Sequence, residues 1–141
     1  MAASLVRESM DLFKTDQFFS LAGLTEGGPS GIYLSPQDHQ TKLGTSGKEP
    51  LLFTEVKVVD SDGNEVAPGV HGEVLLRGET VMKEYYKNPK ETAETIVDGW
   101  LHTGDLAVKD DQGYITFVDR IKDMIISGGE NIYSVEVENA L

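Results

Sequence analysis

Between residues 53 and 118 short apolar runs recur at regular intervals, at 53–59, 72–77, 101–108 and 114–118, with turn-forming residues between them. Runs this short, bounded by Gly, Asn, Asp and Ser, have the length and flanks of strands rather than helices. Ser61-Asp62-Gly63-Asn64 and Asp110-Asp111-Gln112-Gly113 carry the chemistry of tight hairpin turns. In such turns glycine supplies a positive φ, and Asp or Asn bonds the local backbone. The spacing predicts an antiparallel β-rich subdomain, a sheet or distorted barrel, within a chain of the α+β class. One helix interrupts it over 90–97, with Asn88 as N-cap and Pro89 at the first helical position.

The flanks read differently. Residues 4–14 place Leu5, Met10, Leu12 and Phe13 roughly at helical spacing, and Phe18, Phe19 and Leu21 suggest a brief buried strand. From 23 to 47 the chain is dense in Gly, Pro, Ser and Thr, which predicts a long ordered loop of the kind used for binding. After Val118, Asp119-Arg120-Ile121-Lys122-Asp123 reads as a charged linker, 124–126 as an apolar strand and Ser127-Gly128-Gly129-Glu130-Asn131 as a turn. Ser134 then caps a helix whose Val135, Val137 and Leu141 only begin an apolar face.

Twelve basic against 24 acidic residues give a formal charge of −12, which repels nucleic acid and anionic lipid. Cysteine is absent, which excludes disulfides, thiolate metal sites and a cysteine nucleophile. No apolar run is long enough to span a bilayer and the first residues lack a secretion-signal core, so a cytoplasmic chain is expected.

Several clusters can carry chemistry. Gly23-Leu24-Thr25-Glu26-Gly27-Gly28 offers backbone amides to an anion, a hydroxyl and a hard oxygen ligand suited to magnesium; the alternative is a glycine turn with a solvated Glu. In Trp100-Leu101-His102-Thr103-Gly104-Asp105-Leu106 the Asp either caps a turn or accepts hydrogen bonds from paired ligand hydroxyls. His102 reads as a half-exposed strand residue rather than a base. Arg120 and Lys122 concentrate scarce cations, able to grip phosphate or to lie on an exposed linker. The Ser127–Asn131 stretch is a hairpin turn, or a place where backbone passes close to a ligand.

Taken together and in order, these blocks resemble the adenylate-forming family, which includes acyl- and aryl-CoA synthetases, luciferases and peptide-synthetase adenylation domains. The blocks are Gly23-Leu24-Thr25-Glu26, Gly72-Glu73-Val74 with Arg77-Gly78, and Gly99 through Leu106, then Asp119-Arg120-Ile121-Lys122-Asp123 and Ser127 through Ile132. Tyr85-Tyr86-Lys87-Asn88-Pro89 with Thr92 and Thr95 also fits. Glu136 and Glu138 after the Gly-Gly-Glu-Asn-Ile segment look most like the acyl-CoA synthetase branch, including the long-chain fatty-acid ligases.

The resemblance implies a two-step ligation. A carboxylate, of fatty-acid type, attacks the α-phosphate of ATP to give acyl-AMP and pyrophosphate, and the thiol of CoA then displaces AMP. It implies that Gly23 and Thr25 contact ATP, that Glu26 holds Mg, and that Asp105 binds the ribose hydroxyls. Arg120 would reach ribose or phosphate, Lys122 would be the hinge of a C-terminal lid, and Gly128 and Gly129 would leave room for the pantetheine arm of CoA. The organisation implied is 1–47 as the end of a large N-terminal domain, 48–118 as the β subdomain, 119–123 as the hinge and 124–141 as the start of the lid.

Two family elements have no counterpart. They are a lysine-bearing phosphate loop upstream of Gly23, for which Thr45-Ser46-Gly47-Lys48 lies on the wrong side, and a lid lysine. The expectation is therefore a fragment that is inactive alone and prone to self-association. The rival is a non-catalytic nucleotide-binding or structural β module. Ala22 stands where the family commonly has an aromatic residue, and Ser134 where it commonly has proline.

Overall fold

The computed structural model describes residues 3–29, 31–51, 53–128, 130–134 and 137. Its centre is a five-stranded antiparallel sheet built from β4 (Thr54–Val59), β5 (His71–Gly78), β6 (Ile96–Val97), β7 (Trp100–Lys109) and β8 (Ile115–Arg120). The order is β4-β5-β7-β6, with β8 also pairing with β7. The long strand β7 therefore has neighbours on both sides over most of its length. Val58, Val74, Leu76, Leu101, Ala107 and Ile115 form the buried core on one face. Their removal from water is the main drive that fixes the register, since a one-residue slip would turn the whole set to the other face.

The expected turns form. Asp110 N–H donates to Tyr114 O and Gly113 N–H to Asp110 O, both at 2.9 Å, while the Asp110 carboxylate accepts from the amides of Gln112 and Tyr114. Gly113 takes φ +85°, a conformation that disfavours a Cβ. Asp60 organises the Ser61–Asn64 turn in the same way, accepting from the amides of Asp62 and Asn64. That turn returns the chain to a bridge between Val59 and Glu65, and β5 begins only at His71.

Four elements differ from what the sequence predicts. The 23–47 segment is not loop throughout: it contains a 3₁₀ turn (Thr25–Gly27), β2 (Ile32–Leu34) and a second 3₁₀ turn (Asp38–Gln40), and Ile32 and Leu34 are fully buried. β1 (Ser20–Ala22) pairs with β2, and β2 with β3 (Glu49–Pro50). Phe19 and Leu21 are 59% and 69% exposed rather than buried, because this small sheet is covered on one face only.

The helix after Asn88, α2 (Pro89–Thr95), stops two residues short of expectation, as Ile96 and Val97 leave it to pair with Leu101 and Trp100. The charged 119–123 stretch is only partly a linker. Asp119 and Arg120 continue β8, opposite Leu106 and Asp105. Near the chain's start, α1 (Ala3–Phe13) forms where the spacing placed it.

β9 (Ile125–Ser127) and β10 (Glu130–Ile132) form a hairpin with Ile125 and Ile126 exposed. Two side-chain contacts tether the segment that follows to the large sheet. His71 Nδ1 meets the Tyr133 hydroxyl at 2.7 Å, and Ser134 donates from both its amide and its hydroxyl to the Asp119 carboxylate. Those bonds hold Asp119 below the usual carboxylate range. The expected helix after Ser134 falls mostly outside the described residues.

Candidate functional site

Asp105 is presented by an irregularity in β7. The β5–β7 register shifts between Glu73 and Leu75, and Gly104 adopts φ +71°. At this bulge the Glu73 carboxylate stands in for a ladder partner: Oε1 accepts from Gly104 N–H at 3.0 Å, and Oε2 meets His102 Nδ1 at 2.9 Å. The buried Thr103 hydroxyl donates to Val74 O at 2.7 Å and accepts from Asp105 N–H at 3.1 Å. Asp105 is thus fixed at the backbone, and across the β7–β8 ladder it faces Arg120, whose Nε lies 3.4 Å from Asp105 Oδ1. Burial pushes the Asp105 carboxyl above its ordinary value; the Arg120 guanidinium opposes this and the nearby Glu73 carboxylate adds to it.

Glu26 is held by a different device. It lies in the Thr25–Gly27 3₁₀ turn, closed by Gly27 N–H to Leu24 O and Gly28 N–H to Thr25 O, each 3.1 Å. The Tyr85 hydroxyl donates to Glu26 Oε1 at 2.8 Å, and Met82 N–H donates to Glu26 O at 2.7 Å. A Cβ on Gly28 would stand 2.5 Å from Thr80 O, so only glycine permits this approach, and its φ of +65° reinforces the requirement.

Two clefts meet at Arg120. One, of about 390 Å³, is lined by Ala22, Gly23, Asp105, Phe117 and Arg120 together with Leu21, Val118 and Asp119. The other, of about 640 Å³, is lined among others by Thr25, Glu26, Glu73, Tyr85, His102, Gly104, Arg120 and Lys122. Arg120 is thus shared between a mixed cleft, which also holds its partner Asp105, and a more polar one. Gly128 joins neither; it sits in the β9–β10 turn at φ +62° with nothing within 4 Å of a Cβ position. Gly129 lies outside the described residues.

Among the described residues no group of three or more His, Asp or Glu is gathered around a potential metal position. The donor set nevertheless suits magnesium carried by a polyphosphate, since that ion keeps several waters and takes only one or two carboxylates. Glu26 supplies one carboxylate to the lining of the larger cleft.

Three contributors escaped the sequence reading. Tyr85 is 59 residues from Glu26 and Glu73 is 31 from Gly104, so only the folded chain pairs them. Phe117 was legible as a strand residue but not as a wall of the smaller cleft. His102 is the half-buried strand residue it was expected to be, engaged by Glu73.

The chain is thus an antiparallel α+β fold with two clefts that share Arg120, the smaller carrying Leu21, Ala22, Phe117 and Val118 and the larger crowded with ionisable groups, an arrangement suited to a small-molecule ligand. The chain belongs to the AMP-binding enzyme family, whose profile matches residues 1–86. It is 48% identical over 119 residues to the feruloyl-CoA synthase of Amycolatopsis sp, covering 84% of this chain and 24% of that protein. To the long-chain-fatty-acid–CoA ligase of Salmonella typhimurium it is 47% identical over 119 residues, covering 84% and 21%. The O-succinylbenzoate coenzyme A synthetase of Bacillus subtilis in complex with AMP superposes with a TM-score of 0.86 at 39% identity, over 99% of this chain and 28% of that one. The same enzyme has been solved with ATP and magnesium ion, at TM-score 0.77 and 43% identity over 86% and 25%. The chain spans about a quarter of the length of the curated relatives it matches.

Among the described residues no helix is long and apolar enough to cross a membrane.

Proposed function

We propose that this chain forms part of the ATP site of an AMP-forming acid–thiol ligase, a protein that joins a carboxylic acid to CoA through an acyl-adenylate. The observation that carries the reading is the Asp105–Arg120 pair at the junction of the two clefts. A nucleotide has an apolar base, a diol and a polyphosphate in that order. The smaller cleft offers Phe117, Ala22 and Asp105 for the base and the diol, and the larger offers Thr25, Glu26 and Lys122 for the polyphosphate, with Arg120 common to both.

Each role follows from chemistry. Phe117 gives a flat apolar surface to the base on the side where Ala22 does not, and Gly23 lets the backbone pass close to the nucleotide. Ionised Asp105 accepts from both ribose hydroxyls, which a neutral acceptor does less strongly. Arg120 reaches ribose or phosphate, and Thr25 contacts phosphate. The larger cleft carries four carboxylates, Glu26, Glu73, Glu91 and Glu94, against the cations Arg120 and Lys122. A polyphosphate therefore enters with a divalent cation, which Glu26 would hold, and which when bound neutralises the phosphate charge.

Lys122, in the turn after β8, is assigned to the hinge at 119–123, between the β subdomain of 48–118 and the lid that starts at 124. Residues 1–47 are assigned to the edge of the larger domain. Gly128 and Gly129 are assigned to the passage of the CoA arm. The acid is proposed to be of the fatty type, and the protein to act in the cytoplasm.

The test is an amide chemical-shift titration of the 141-residue chain with AMP, which registers even millimolar affinity. Amides of Gly23, Gly104, Asp105 and Arg120 are expected to move together, and 2′-deoxy-AMP to bind less tightly. Movements centred elsewhere, or none, would remove the assignment.

A further inference from the structure

Glu26 is clamped by the segment that follows β5, through the Tyr85 hydroxyl on its carboxylate, the Met82 amide on its carbonyl and the Thr80 carbonyl against Gly28. We infer that Tyr85 is a positioning residue for Glu26: its hydroxyl fixes Oε1 so that Oε2 is left, in a set direction, as the ligand for a nucleotide-bound divalent cation. The inference rests on the nucleotide reading of the larger cleft.

Tyr85 is itself fixed. Its amide donates to Thr92 Oγ1 at 2.9 Å, its carbonyl accepts from Asn88 N–H at 3.1 Å, and Thr92 Oγ1 donates to Asn88 O at 2.8 Å. The first turn of α2 therefore sets where the phenol points. The choice of donor also matters. A lysine or arginine in this place would neutralise Glu26 and compete with the metal, whereas a neutral O–H orients the carboxylate and leaves its charge.

The arrangement assigns a task to Tyr85-Tyr86-Lys87-Asn88-Pro89, a block that the nucleotide contacts alone do not require. Tyr85 faces the cleft, while Tyr86 is 85% exposed and takes no part.

Paramagnetic resonance of Mn²⁺ in the presence of ATP measures the metal step directly on the 141-residue chain, and AMP titration without metal measures the nucleotide step. Tyr85→Phe is expected to raise the Mn²⁺ half-saturation about 10-fold, the usual cost of losing a partner behind a metal ligand, with AMP binding unchanged. Thr92→Ala, which loosens Tyr85 without touching the phenol, should raise it less, and it serves if the Phe variant fails to fold. An equal loss of AMP binding in Tyr85→Phe would make Tyr85 a general brace and overturn the proposal. Unchanged Mn²⁺ binding in Tyr85→Phe, with a clear loss in Glu26→Gln, would overturn the role of Tyr85 and leave the site standing. Mn²⁺ binding that is indifferent to Glu26→Gln would remove the metal reading itself, and the proposal with it.

Discussion

Asp105 sits mid-strand in β7, paired to β8 through Arg120, with its neighbour Gly104 bonded to Glu73 of β5; Glu26 sits in a three-residue 3₁₀ turn and is aimed by a phenol from another segment. The first carboxylate is held by backbone ladders on a buried core, the second by a few side-chain and loop contacts. Moving Asp105 means breaking a sheet. Re-aiming the Glu26 carboxylate means losing one hydroxyl. A nucleotide grip built this way has a rigid ribose end and an adjustable phosphate end, as is fitting when pyrophosphate departs in the first step of the proposed reaction and the adenylate stays.

The largest expected effect comes from attacking the ladder itself. Leu101 is completely buried in the core beneath β7. Leu101→Ala should cost about 2–5 kcal/mol through lost transfer free energy and the cavity left behind, read as a lower urea midpoint. AMP binding should disappear at the denaturant concentration where the sheet melts. Persistence of AMP binding after the sheet has melted would break the contrast between the two ends.

Next comes Asp105→Asn, for which function and stability should move in opposite directions. Losing a charged acceptor for the ribose should weaken AMP binding about 10-fold or more. Folding raises the Asp105 carboxyl above its ordinary 3.8, so the native state holds that proton more tightly than the unfolded chain does. This contribution therefore destabilises the fold increasingly as pH rises through the interval between the unfolded value and the raised one, and it is present in full at neutral pH. Asp105→Asn should accordingly melt higher than the parent at pH 7, with the gain vanishing below the ordinary Asp range. A lower melting temperature at pH 7 would show that the ladder depends on the carboxylate rather than merely carrying it.

These two ends differ equally in how far they can be read from sequence. β4, β5, β7 and β8 lie within a residue or two of their apolar runs, because core burial and turn residues act locally and agree. Asp105 and Arg120 could be placed on strands for the same reason, though that they face each other depends on the register across the Asp110–Gly113 turn. Glu26 could be placed in a glycine-rich turn, but nothing local to residues 23–28 indicates Tyr85. The misplaced pieces have the same origin. Ile96 and Val97 are adequate helix residues until β7 offers them a ladder, and Asp119 and Arg120 look like linker until β7 extends beside them. The outward turn of Phe19 and Leu21 reflects a sheet covered on one face, a property of packing that residue type does not encode.

Glu73 lines the larger cleft and bonds the strand that carries Asp105, and so tests how separate the two ends are. Glu73→Gln keeps the shape but weakens its hydrogen bonds to Gly104 and His102, at a cost of about 1 kcal/mol in stability. It also removes the charge that helps raise the Asp105 carboxyl. The pH at which AMP binding is lost on acidification, as Asp105 takes up its proton, should therefore fall. A midpoint unmoved by Glu73→Gln would mean that burial and Arg120 set Asp105 without Glu73.

The smallest effect is expected at Asn88. Its side chain caps α2 by accepting from Glu91 N–H at 3.3 Å, while its backbone carbonyl continues to receive Thr92 whatever the side chain is. Caps of this kind contribute about 1 kcal/mol to the helix. Yet α2 buries no residue, so fraying its first turn should hardly register in global unfolding. The loss should appear instead as faster amide exchange in residues 90–92 and a slight rise in Mn²⁺ half-saturation with ATP, smaller than that of Tyr85→Phe, with AMP binding unaltered. If Asn88→Ala weakened AMP as well, α2 would be coupled to the ladder through β6, which follows it directly and pairs with β7, and the phosphate end would be less independent than its side-chain attachment implies.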